Sequence, residues 1–309
     1  MGDAFVAVAD DASAFYWNPA GLSLYPDEQE IHWATARQGS GDLAFTDLDV
    51  MFDVVSSREI GPGAFELLQN LADDRVFVEA SAFMGYRTGR WALGVFAQAL
   101  TATDIVREAE DRISLDGWGM DITMVGVAYG ESFDEKLHWG LQAGKLYSGR
   151  GFARGDVLRS ETGETINEVD QNTEHAETWS ATAGLLYLHS ENLRVGLVSR
   201  NFISPELVYG NGDRVQYDPA FDVGLAWIDE EQGLIVSADL HNATKANQVG
   251  CHAMAGVEKQ LSPDLYARLG ANASSVFGGI GWMAGSIALD ATFGADPSER
   301  LMLTIRSPL

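Results

Sequence analysis

The sequence is short of cysteine, proline and basic residues, and it lacks long apolar runs. Its one cysteine, Cys251, excludes an intramolecular disulfide and any site built from several cysteines. The adjacent His252 invites a ligand or nucleophile reading, but no accompanying Asp or His spacing supports it over a place in the core or on the surface. No apolar stretch reaches the ~18 residues of a spanning helix, which excludes a helical membrane protein. Only 20 Lys and Arg stand against 45 Asp and Glu, a formal charge of −25. That balance repels a phosphate backbone, so nucleic acid is not an expected partner. The acidic excess itself fits a solvated surface, cation-binding loops or plain solubility, and the sequence does not choose among them. Four of the eight prolines follow a turn former, in Ser204-Pro205, Asp218-Pro219, Ser262-Pro263 and Asp296-Pro297, and read as punctuation between strands.

Chemistry-bearing patterns are also missing. Gly278, Gly279, Gly281 and Gly285 are followed by neither a helix start nor a Lys-Ser/Thr pair, so they form no phosphate loop. The histidines at 32, 138, 175, 189, 241 and 252 include no His-x-x-x-His pair. No catalytic residue, metal site or cofactor is expected, and the chain does not read as an enzyme. Met1-Gly2-Asp3 has no basic stretch followed by an apolar one, and it abuts what reads as the start of a mature domain; an export sequence is expected to have preceded it.

What the sequence does contain, from Ile31 onward, is period-2 alternation in segments of roughly ten residues, the length a tilted strand needs to cross a bilayer. Between Thr178 and Leu188, one face carries Trp179, Ala181, Ala183, Leu185 and Tyr187, and the other Thr178, Ser180, Thr182 and Gly184. Phe221, Val223, Leu225 and Trp227 alternate with Asp222 and Gly224. Leu234, Val236, Ala238 and Leu240 alternate with Ser237, Asp239 and His241. Further along, Arg268 and Asp290 fall on the polar face of their segments. The same rhythm suits a soluble antiparallel sandwich. Two features favour a barrel: aromatic residues at segment ends, as at Trp91, Trp139, Trp179 and Trp227, and a second face rich in glycine and small residues, which suits a curved wall around contents.

Fifteen candidate strands result, near residues 30–38, 42–54, 75–87, 90–103, 118–130, 136–148, 177–189, 192–202, 219–228, 233–243, 250–260, 264–273, 276–283, 286–295 and 299–306. Single-chain bacterial barrels have an even number, so about 14 strands are expected. Two interruptions stand out. Phe65, Leu68 and Leu71 share a helical face after Gly61-Pro62-Gly63, which predicts a short helix over 64–72. The polar stretch from Ser148 to Glu177 is expected to be the longest loop.

The opening segment is the most specific motif. Gly2 to Leu22 (GDAFVAVADDASAFYWNPAGL) resembles the start of the FadL-type outer-membrane transporters and their PorV-like relatives, with Asn18, Pro19 and Ala20 matching the hallmark of that start. More loosely, Leu261–Gly270 and Ser286–Asp290 are similar to the closing strands of that family, whereas the end Arg306-Ser307-Pro308-Leu309 departs from its usual aromatic terminus. The resemblance implies an all-β, antiparallel transmembrane barrel with an N-terminal plug over residues 1–29 and the barrel over 30–309. It implies plug or gate roles for Asp10, Asp11, Asn18, Pro19 and Ala20. Asp222, Asp239, Arg268 and Asp290 are expected to face the lumen. The implied function is passive transport of hydrophobic small molecules, fatty-acid-like or hydrocarbon, across the bacterial outer membrane, with membrane lipid around the barrel. The alternative is a PorV-like barrel whose partner is a secreted protein.

Overall fold

The computed structural model describes residues 4–40, 64–72, 75–159, 165–167, 170–273, 275–295 and 298–308. In chain order the strands are β1 (Gln29–Ser40), β2 (Arg75–Thr88), β3 (Trp91–Ala109), β4 (Arg112–Ser132), β5 (Leu137–Arg159), β6 (Thr165–Asn167), β7 (Asp170–Leu188), β8 (Leu193–Arg200), β9 (Glu206–Val208) and β10 (Arg214–Gln216). They continue with β11 (Ala220–Asp229), β12 (Leu234–His241), β13 (His252–Ser262), β14 (Leu265–Asn272), β15 (Val276–Ala284), β16 (Ile287–Ala295) and β17 (Ser298–Pro308). Among the described residues, fourteen of these close into one antiparallel ring. Its seam joins β1 to β17, and β4 pairs with β5 to complete the circuit. The short β6 extends β5, and β9 with β10 forms a separate ribbon. Closure leaves the ring no open edge, which is how an antiparallel sheet satisfies every backbone polar group without water.

Fourteen of the fifteen candidate segments are the ring strands; the remaining one, near 42–54, lies outside the described residues, as does the Asp296-Pro297 turn. The outward positions are the apolar set read from the alternation. Trp179, Leu225, Trp227, Val236 and Leu269 are exposed, whereas Ser180, Asp222, Ser237 and Asp239 between them are buried. Because antiparallel strands reverse at every turn, one end of the ring carries only tight connections such as 89–90, 133–136 and 189–192, and the other end carries the excursions.

One expectation is corrected. Ser148 to Glu177 is not a long loop: β5 runs on to Arg159 and β7 begins at Asp170. Cross-strand ion pairs replace apolar alternation there, with Arg150 Nη2 2.7 Å from Glu174 Oε2 and Arg154 bridging to Asp116. A polar hairpin with paired charges satisfies its ladder as fully as an apolar one.

The helix α1 (Ala64–Asn70) forms where Phe65, Leu68 and Leu71 share a face. All three are buried against Val76, Val78, Ile105, Ile113, Leu115 and Val157, the upper parts of β2 to β5. The β9–β10 ribbon packs on the other, inward face of the wall, with Leu207 and Tyr209 buried on Leu146 and Ala176. Inside the ring, before β1, the segment from Ala4 to Ser23 makes two 3-10 turns, Ala12–Phe15 and Pro19–Ser23, and is almost wholly buried.

Candidate functional site in the barrel lumen

The N-terminal segment is held to the inner wall mainly through its backbone. Asn18 carries much of this. Its Oδ1 accepts from Ala20 N (3.1 Å) and caps the second turn, while its Nδ2 donates to Val6 O (2.8 Å) and to Leu185 O on β7 (3.1 Å). Pro19 at the first helical position has no N–H to satisfy and holds Asn18 in the extended region. Ala20 is fully buried. The wall accepts this backbone because it is bare: a Cβ on Gly140 would overlap the Pro19–Ala20 peptide, and one on Gly184 would overlap Asn18 Oδ1.

Charged wall residues complete the attachment. Arg87, fully buried, donates to the carbonyls of Asp10 and Tyr25, with a longer contact to Leu22 O at 3.4 Å. Asp10 faces Arg194 (3.4 Å), and Asp11 faces Arg306 (3.1 Å). At the far side, Val6 N donates to Asp239 Oδ2 (2.8 Å) and Ser237 Oγ donates to Ala4 O (3.0 Å).

The four inward candidates divide into two groups. Asp222 and Asp239 meet through His241, whose two ring nitrogens lie 3.5 Å from each, and Arg200 bonds Asp222 (2.6 Å) and Tyr16 O (2.8 Å). Arg268 and Asp290 form a second group, bonded to each other and joined by Glu258. Gly281 on the intervening β15 leaves the room for that bridge.

Between the segment and the wall lies a cavity of about 520 Å³. One side is aromatic: Tyr16 stacks on Phe96 at 4.5 Å, Phe5 on Trp17 at 5.4 Å, and Phe83 closes the floor. The other side is polar, with Glu258, Arg268, Asp290 and Arg306. Sequence reasoning missed Arg87, Arg200, Arg306, Glu30 and His32. Only Glu30-x-His32 had a local signal, since residues two apart on a strand share a face. Two of the six scattered histidines thus meet acids in space, His241 with Asp222 and Asp239, and His32 with Asp11 and Glu30.

The toluene transporter TbuX of Ralstonia pickettii superposes with a TM-score of 0.60 at 12% identity, covering 100% of this chain and 97% of that one. The toluene transporter TodX of Pseudomonas putida gives 0.54 at 12% identity, over 100% and 95%. A Pseudomonas aeruginosa FadL homologue gives 0.56 at 8% identity, over 99% and 95%. At these identities the likeness establishes the fold, that of the FadL-type barrels. No curated protein sequence matches. A family model matches residues 67–240, more than half of the chain, and the protein therefore belongs to the family described as "F plasmid transfer operon, TraF, protein".

Proposed function

We propose that the protein is an outer-membrane channel that passes small hydrophobic molecules by passive diffusion, with residues 1–29 as the plug that gates it. The observation that carries this reading is the 520 Å³ cavity with its aromatic wall, roofed by the N-terminal segment. Ligand sites for small molecules have this size and are mostly apolar with a few polar anchors. The structural relatives described as toluene transporters share the fold, which agrees with a hydrocarbon-like cargo.

Membrane placement rests on the outer face. Trp91, Trp227 and Trp282 are exposed near the tight-turn end, and Trp179, Phe221 and Phe293 toward the other. On β7 the distance from Trp179 to Tyr187 is roughly 27 Å along the strand, or about 20 Å of height at a barrel's tilt, close to the apolar band of an outer-membrane barrel. The tight turns then face the periplasm, and the end bearing α1 and the β9–β10 ribbon faces the cell exterior.

In vesicles with a lipopolysaccharide outer leaflet, the folded protein should speed the entry of toluene or a fatty acid to an encapsulated reporter, and Phe96→Arg should slow it severalfold. Entry no faster than in protein-free vesicles would refute the transport reading. A second reading has its own observation: Trp118 and Phe152, paired across β4 and β5 above the apolar band, are 44% and 58% exposed. Such a patch suits a protein partner, as in the PorV-like alternative, and the family description from a transfer operon is compatible with it. Binding of an exported protein that Trp118→Ser with Phe152→Ser abolishes would favour that reading.

A further inference from the structure

Near the tight-turn end of the lumen, three possible ligands converge from two elements. Glu30 and His32 stand two residues apart on the inward face of β1, and Asp11 reaches them from the first 3-10 turn of the N-terminal segment. One donor atom from each can be chosen so that all three lie within 4.8 Å of one another. The second observation is His32 itself. Its side chain is 10% exposed, and its Nδ1 is buried without a hydrogen-bond partner, 3.4 Å from Asp11 Oδ2. A buried imidazole nitrogen left in this state costs stability unless something takes its lone pair or proton.

The companion cluster around His241 also leaves His241 Nε2 and Asp239 Oδ1 without hydrogen-bond partners, but among the described residues only the Asp11, Glu30 and His32 donors converge as three. Around His241, Arg200 takes Asp222, and the Val6 amide takes Asp239. At His32, the backbone amides of Ser13 and Ala12 occupy only one oxygen each of Asp11 and Glu30. The remaining competitor is Arg306, 3.1 Å from Asp11 Oδ2. Arg306 also lies in the field of Asp10 and Asp290, neither of which belongs to the cluster, so negative charge remains near it if Asp11 turns to another cation.

We infer that Asp11, Glu30 and His32 form a binding site for a divalent transition-metal ion that clips the N-terminal segment to β1. The donor set of two carboxylates and one imidazole is the mixture that zinc, manganese and iron(II) accept. Ligand atoms about 2.1 Å from such an ion sit roughly 3.4 Å apart in tetrahedral geometry, so a modest closing of the cluster suffices. The inference does not depend on what the channel carries.

The test uses cobalt(II) as the probe. Chelator-treated protein in detergent should bind one Co²⁺ saturably with visible d–d absorption. His32→Ala and Asp11→Asn should weaken that binding at least tenfold, Glu30→Gln severalfold, and His252→Ala not at all. Each variant is first checked for the heat-modifiable gel mobility of a folded barrel. If His32→Ala does not fold, X-ray absorption of the Co²⁺-loaded wild type decides, because a first shell of oxygens without imidazole overturns the site. So does the absence of saturable binding, or binding that follows His252 rather than His32.

Discussion

The lumen has a packed half and an open half, and the two are built from different residues. On β4, β5, β7 and β8 the inner wall has a glycine under the N-terminal segment, and a Cβ at Gly130, Gly140, Gly184 or Gly196 would press on it. Along β13, β14, β16 and β17 the inward side chains include Glu258, Arg268, Asp290 and Arg306, and the cavity remains beside them. Strand length follows the division except at β8: β4, β5 and β7 have 19 to 23 residues and β8 has 8, whereas β13, β14, β16 and β17 have 8 to 11. The difference teaches that inward residue size decides what fills a barrel. Bare backbone admits another backbone, whereas the Glu258–Arg268–Asp290 group, bonded within itself, leaves room beside it for water or cargo.

The comparison predicts three outcomes. The strongest is removal of the segment. Deleting residues 4–22 should leave a folded barrel whose single-channel conductance in planar bilayers rises at least tenfold over the full chain, because the glycine half loses its filling; equal conductance would end the gating proposal. Next, Gly140→Val should cost about 1–3 kcal/mol in urea unfolding through overpacking against Pro19. The same side chain introduced on the cavity side, by Ala34→Val, should cost less than about 1 kcal/mol. Equal costs would mean that the halves do not differ in packing. Within the packed half, a smaller effect than that of Gly140→Val is expected for Asn18→Ala, about 1–2 kcal/mol, since it removes the cap and leaves the Val6 carbonyl without its donor. Asn18→Asp, which keeps the cap acceptor, should fall between that variant and wild type.

Much of this was legible in the sequence wherever one face is apolar. Phe221 to Trp227 and Leu234 to Leu240 declare both the strand and its inward side, because burial repeats at the period of the pleat. The upper reaches of β4, β5 and β7 were not legible. Arg150, Arg154, Asp116 and Glu174 read as loop residues until their cross-strand partners are known, and those partners lie 24 and 38 residues away. The site divides similarly. Asn18-Pro19 announces a turn by its own chemistry. Arg87 and Arg200 gain their roles only from segment carbonyls 77 and 184 positions distant, and no local pattern encodes that.

The β1–β17 seam has a consequence for how the molecule comes to be. It couples residues 29–40 to 298–308, so the ring completes only after its last-made strand has docked. The opening segment bonds to Leu185, Ser237 and Asp239, 167 to 233 positions further along the chain. Its berth therefore does not exist while synthesis is under way. Assembly dominated by such distant pairings is slow, and the nascent protein spends that interval with its apolar exterior uncovered.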